Sequence, residues 1–145
     1  MTLEQYHDEW AVNAEIQLDR LDVEASHVPI LHARWWRYYT TERLRYRKLE
    51  FELQTLRHYK YEWYSGKMDD SERIKLGWTP QPKLIRLKEA IDRHVNADPD
   101  VFQARKEAAV QEETLKFLED VIKSINKRGY DIKNTIDFLR FKSGV

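Results

Sequence analysis

The chain has few places at which it can turn: four Gly and four Pro in 145 residues. Folds built of many short strands need frequent turns, and turns draw on Gly and Pro. With 34% charged residues alongside that scarcity, the sequence predicts an all-α fold. A chain of this length forms one domain by default and buries roughly two-thirds of the surface its unfolded state exposes. Cysteine is absent, which excludes disulfides, a thiolate zinc site and a cysteine nucleophile. There is no basic-then-apolar leader, and no apolar run approaches the ~20 residues of a membrane span. These features predict a soluble, intracellular protein.

The same few breakers divide the chain. Thr2 with Gln5 has the form of a capping box, which predicts a first helix from residue 3 to about residue 19. A second helix starts between Val23 and Pro29, because Pro suits a first turn, and runs to Tyr64. Thr40-Thr41 is a candidate break, and Ser65-Gly66 is the end signal. Residues 67–82 read as a loop with one helical turn around Ser71–Leu76. Lys83 to about Val95 forms a helix with Leu84, Leu87, Ile91 and Val95 on one stripe. Asp98-Pro99 pairs an N-cap with Pro at the first helical position. From there Val101, Ala108, Leu115, Leu118, Ile122 and Ile125 make a narrow coiled-coil-like seam. Gly129 stops that helix, and a short last one, Asp131–Phe141, carries Ile132, Ile136 and Leu139 on one face. The organisation is one of helical hairpins: an N-terminal portion (residues 1–66), the loop (67–82) and a C-terminal portion (83–145).

Catalysis needs converging polar groups, and the sequence offers none. His7, His27, His32, His58 and His94 sit in no metal-ligand spacing. Glycine-rich phosphate loops and a GxSxG elbow are absent. The sequence predicts no enzyme, no metal and no cofactor.

Charge is more informative than its zero sum. Residues 1–32 hold seven acids and one base, whereas residues 33–67 hold nine bases and four acids. Ten of the eighteen aromatics fall in residues 34–67. At 100° per residue, Trp35, Tyr39, Tyr46, Leu49, Leu53 and Leu56 share one seam. Arg34, Arg37, Arg45 and Lys48 lie on a separate basic face about 100° round from it. Cations beside aromatics suit single-stranded nucleic acid: the cations follow phosphates and the rings stack on bases at ~1–3 kcal/mol each. Core or subunit packing of the same aromatics is the other reading. No helix-turn-helix spacing points to a duplex.

Lys60–Gly66, KYEWYSG, resembles the single-strand-binding motif of the UvsY family of phage recombination mediators. The similarity extends over Leu21–Gly66, NADPDV at Asn96–Val101 and Ile125–Val145. In that family two basic residues one position apart, just before the acidic-aromatic stretch, contact DNA. Lys60 occupies the second position; His58, mostly uncharged near neutral pH, stands where a Lys is expected, with Arg57 beside it. The resemblance implies binding of single-stranded DNA, with His58 and Lys60 at the two basic positions. Arg57 is placed to compensate for His58, Trp63 and Tyr64 are further candidate contacts, and Lys60 and Arg57 are expected to be exposed. The resemblance also implies contact with a RecA-like recombinase and a single-strand-binding protein, and help for the former in replacing the latter in recombination and repair. A closed ring of six or seven subunits and residence in the cytoplasm of the infected bacterium are implied as well.

The residues point independently to self-association. Apolar seams on nearly every helix exceed what one small bundle can hide, and zero net charge lowers repulsion between copies. The expected interface is Leu115, Leu118, Ile122, Ile125, Ile132, Ile136 and Leu139. The alternative function is an oligomeric helical adaptor that binds proteins only.

Overall fold

The structure is a computed structural model that describes residues 1–81 and 84–144. Among these residues there are five helices and no strand: α1 (Leu3–Asn13), α2 (Leu21–Ser65), α3 (Asp70–Leu76), α4 (Lys88–Ala97) and α5 (Pro99–Ser143). No described helix is long and apolar enough to cross a membrane. Two compact units result, Met1–Arg43 with Glu113–Val145 and Leu44–Glu112, so the division falls within α2 and within α5.

In the first unit the core is Tyr6, Trp35, Leu118, Val121, Ile122 and Ile125, with Trp10, Val28, Leu31, Tyr38, Tyr39 and Phe117 packed against it. Trp35 is fully buried and meets Trp10 and Tyr38 edge-on, at 5.6 and 5.2 Å between ring centroids. Its indole N–H donates to Asn13 Oδ1 at 3.2 Å. Glu42 is buried as well and accepts from the Tyr6 hydroxyl at 2.8 Å. The second unit closes on Ile91, Val95 and Val101, flanked by Leu53, Leu56, Tyr61, Tyr64 and Ile85.

The start of α1 matches the expectation: Thr2 and Gln5 make both capping-box bonds. Its end does not, because α1 stops at Asn13 rather than near residue 19. The Arg128 guanidinium donates to the carbonyls of Ala14 and Glu15, at 3.1 and 3.0 Å. It thereby satisfies acceptors that further helical N–H groups would have served. Arg128 also reaches Glu24 Oε2 at 2.9 Å. That bond and the packing of Val28 and Leu31 hold the opening turns of α2, which begins at Leu21 and carries Pro29 inside it. Tertiary contacts thus outweigh the missing Pro29 N–H. Nor does Thr40-Thr41 break α2; the Thr40 hydroxyl donates back to Trp36 O.

Two further boundaries are corrected. Lys83 lies outside the described residues, and the helix expected from it begins only at Lys88, leaving Leu84 and Leu87 exposed. Gly129 does not end a helix: α5 runs through it to Ser143. Ile125 and Ile132, at 0% and 1% exposure, are anchored on either side of it, as is Arg128. Burying one such isoleucine is worth about 1.5–3 kcal/mol, more than a mid-helix Gly costs. A Cβ at Gly129 would meet nothing within 4 Å. Gly129→Ala should therefore stabilise the protein by ~0.5–1 kcal/mol, read as a rise of about 1–4 °C in a thermal melt.

The seam Leu115, Leu118, Ile122, Ile125 and Ile132, expected to face other subunits, is buried inside the chain itself. Its core members pack with Tyr6 of α1 and Trp35 of α2. Of the expected interface, Ile136 is half-buried and Leu139 exposed.

Candidate nucleic-acid interface

On α2 the seam faces inward and the cations face out, as the helical period requires. Trp35 is buried and Tyr39 half-buried in the first unit, and Tyr46, Leu49, Leu53 and Leu56 are half-buried in the second. Arg34 and Arg37 are exposed on the first unit; Arg45, Lys48, Arg57 and His58 are exposed on the second. Several are already engaged. Arg34 pairs with Glu9 at 3.4 Å, Lys48 with Glu52 at 3.9 Å, and His58 Nε2 with Glu62 at 3.3 Å. Such exposed pairs are worth ~1 kcal/mol or less and open readily to a phosphate. Arg37, Arg43 and Arg57 have no ion-pair partner among the described residues.

Lys60 differs from all of them. Expected at the surface, it is 5% exposed. Its ammonium lies 3.2 Å from Asp98 Oδ2 and 3.0 Å from Asp100 Oδ2. It also sits over the Trp78 ring at 4.2 Å and the Trp63 ring at 5.1 Å from their centroids. A buried cation needs this combination of opposite charge and aromatic faces. Asp98 serves several partners: its Oδ1 accepts from the backbone N–H of Asp100 and Val101, capping α5, and its Oδ2 accepts from Tyr64 and Lys60. Burial alone would raise the Asp98 carboxyl. The Tyr64 hydroxyl, the Lys60 ammonium and the Asp100 N–H outweigh it and hold the carboxyl below its usual range. The same burial, with the carboxylate beside it, pushes the Tyr64 phenol up.

The rest of the motif is similarly occupied. Trp63 donates its indole N–H to Thr79 O at 2.8 Å and packs edge-on against Trp78. Tyr61 joins the core of the second unit, and the Ser65 hydroxyl donates to Glu62 O. Gly66 has φ +77°, and a Cβ there would collide with the Leu84 side chain. The backbone N–H groups of Gly66 and Lys67 close the α2 terminus on Trp63 O and Glu62 O. In this structure Lys60–Gly66 fastens the end of α2 to the segment around Trp78 and to the start of α5. Of the three expected DNA contacts here, Lys60 is closed off from solvent, whereas Trp63 and Tyr64 are half-buried. Arg57, Arg45, Lys48, Arg34, Arg37 and His58 remain at the surface.

Sequence reasoning missed Trp36. Half of it is exposed, whereas its neighbour Trp35 is fully buried. The signal was present, since Trp36 lies about 100° off the buried seam. No group of three or more potential metal ligands gathers among the described residues.

The family model described as recombination, repair and ssDNA binding protein UvsY matches residues 9–145. Among solved structures, one crystal form of the recombination mediator UvsY of bacteriophage T4 superposes with a TM-score of 0.82 at 20% identity, covering 99% of this chain and 98% of that one. A second form gives 0.80 at 20% identity, covering 98% and 99%. These likenesses speak for a shared fold. No match is found among the curated proteins.

Proposed function

From the premise that the chain belongs to the UvsY family of recombination, repair and single-strand-binding proteins, we infer that this recombination mediator works by binding single-stranded DNA on a closed homo-oligomer and helping a RecA-like recombinase displace a single-strand-binding protein. The family match over residues 9–145 is the observation that carries the reading. The hand-off requires no catalysis. A partner that binds only one of two competing states shifts the balance by mass action. Exposed cations on each unit would track phosphates, with the second unit offering Arg45, Lys48 and Arg57.

Self-association is supported by what the fold leaves outside. Tyr130, Phe138 and Phe141 are 64%, 63% and 82% exposed near the end of α5. They fall within about 80° of one another round the helix. Contiguous exposed aromatics of this kind mark an interaction surface. Repetition round a ring would let weak contacts of each subunit to one strand add as avidity.

The test is fluorescence anisotropy with single- and double-stranded oligonucleotides across a salt series. Single strands should bind more tightly, with a log–log salt slope. Changing Arg45, Lys48 and Arg57 together to Ala should lower that slope by about 2, at ~0.7 for each phosphate no longer neutralised. Absence of binding to either form would count for the protein-only adaptor; equal affinity for both, or a slope indifferent to the triple change, would overturn single-strand binding through these cations.

A further inference from the structure

We propose that Trp36 is a nucleobase-stacking platform for single-stranded DNA, with Arg37 and Arg43 taking the flanking phosphates. The proposal rests on the single-strand-binding reading above and adds a site outside the Lys60–Gly66 motif.

Trp36 is 50% exposed although it follows a tryptophan that is 0% exposed, so the fold leaves this indole outside while burying its neighbour. It is nevertheless held. The His32 ring lies nearly parallel to it, at 6.0 Å and 10°. On its other flank the Tyr39 ring stands at 5.5 Å and 38°, itself tied to Glu119 through its hydroxyl. Rings on both flanks restrict the indole's rotamers before any ligand arrives. A preordered side chain loses little entropy on binding, which favours its use as a stacking surface.

The charges around it are of the sign and availability that a nucleotide requires. Arg43 is seven residues along α2, on the same face as Trp36 and about 10 Å away along the axis. Arg37 is the next residue in sequence, about 100° round. Both are exposed and neither has an ion-pair partner among the described residues. By contrast Arg34, Arg47, Lys48 and Lys60 all have carboxylate partners. The open cations of this stretch of α2 thus lie close to its open tryptophan, one and seven residues further along the helix. An exposed aromatic ring with unengaged guanidinium groups beside it on the same helix suits a base and its phosphates, because every base offers a π-face and stacking is sequence-tolerant.

The experiment measures anisotropy of the full-length protein with a labelled thymidine homopolymer at fixed moderate salt. Trp36→Ala should weaken binding about 5- to 150-fold, the span of one stacked base. Trp36→Phe should keep most of the affinity, and neither change should alter the salt slope. Arg37→Ala with Arg43→Ala should instead lower the slope by about 1.4. A strand of the same length without bases keeps the phosphates but offers nothing to stack. It should bind wild type and Trp36→Ala alike, a comparison that also controls for any disturbance of the fold. Trp36→Ala binding the thymidine strand as tightly as wild type, or losing equally on the strand without bases, overturns the platform. Failure of the wild type to bind single strands at all would instead sink the reading beneath it.

Discussion

Lys60→Met should unfold at markedly lower urea concentration than wild type, with a loss of ~3–5 kcal/mol, the usual cost of removing one member of a buried ion pair. Asp98 would keep its buried charge, with only Tyr64 and two backbone N–H groups to satisfy it. Asp100 is 62% exposed and stays solvated, so the loss arises chiefly at Asp98. Adding Asp98→Asn removes that stranded charge while keeping an oxygen to cap α5, and the double variant should recover most of the stability. Acid provides a second reading. The Asp98 carboxyl is held below its usual range, so its contribution is present above the unfolded value of about 3.9 and disappears as pH falls through the lower folded value. The gap between wild type and Lys60→Met should therefore narrow below about pH 4. If Lys60 were a phosphate contact on the surface, the unfolding midpoint would stay put and the DNA salt slope would fall by about 0.7.

Phe138→Asp together with Phe141→Asp should reduce the proposed homo-oligomer to monomers in sedimentation velocity. Affinity for long single strands should fall with it, by roughly 10²- to 10⁴-fold, as multivalent binding gives way to single-subunit binding. Both side chains are largely exposed, so the helical signal in circular dichroism should survive. These point changes are cleaner than deleting residues 130–145, because that deletion would also remove Ile132, which is 1% exposed and belongs to the chain's own interior. An unchanged sedimentation coefficient would place the assembly surface elsewhere. Monomers that retain full affinity would remove avidity from the mechanism.

Features written in neighbouring residues were legible in the sequence. The capping box of Thr2 and Gln5, the Asp98-Pro99 start of α5 and the Ser65-Gly66 end of α2 all rest on side chains within a few positions of the backbone they serve. The inward seam and outward cations of α2 followed from the 3.6-residue period alone. The misread boundaries depend on distant partners. Arg128 ends α1 from 114 positions away and, through Glu24, steadies the turns before Pro29. The burial of Lys60 was hidden for the same reason. Asp98, Asp100 and Trp78 reach it only after the chain has passed through the segment around α3. The α5 seam was read correctly as apolar and wrongly as intersubunit, because a stripe of leucine and isoleucine does not record whether its cover comes from the same chain.

The fastening of Lys60–Gly66 bears on how a short fragment of this protein would behave. A synthetic peptide spanning residues 57–66 would lack Asp98, Asp100, Trp78 and Thr79, the groups that engage Lys60, Trp63 and Tyr64 in the folded chain. Its ammonium and rings would stand free in water, and it would adhere to any polyanion through them. Part of such a fragment's stickiness would come from the loss of the fold, because the Lys60 ammonium that it would offer is one the intact subunit keeps closed.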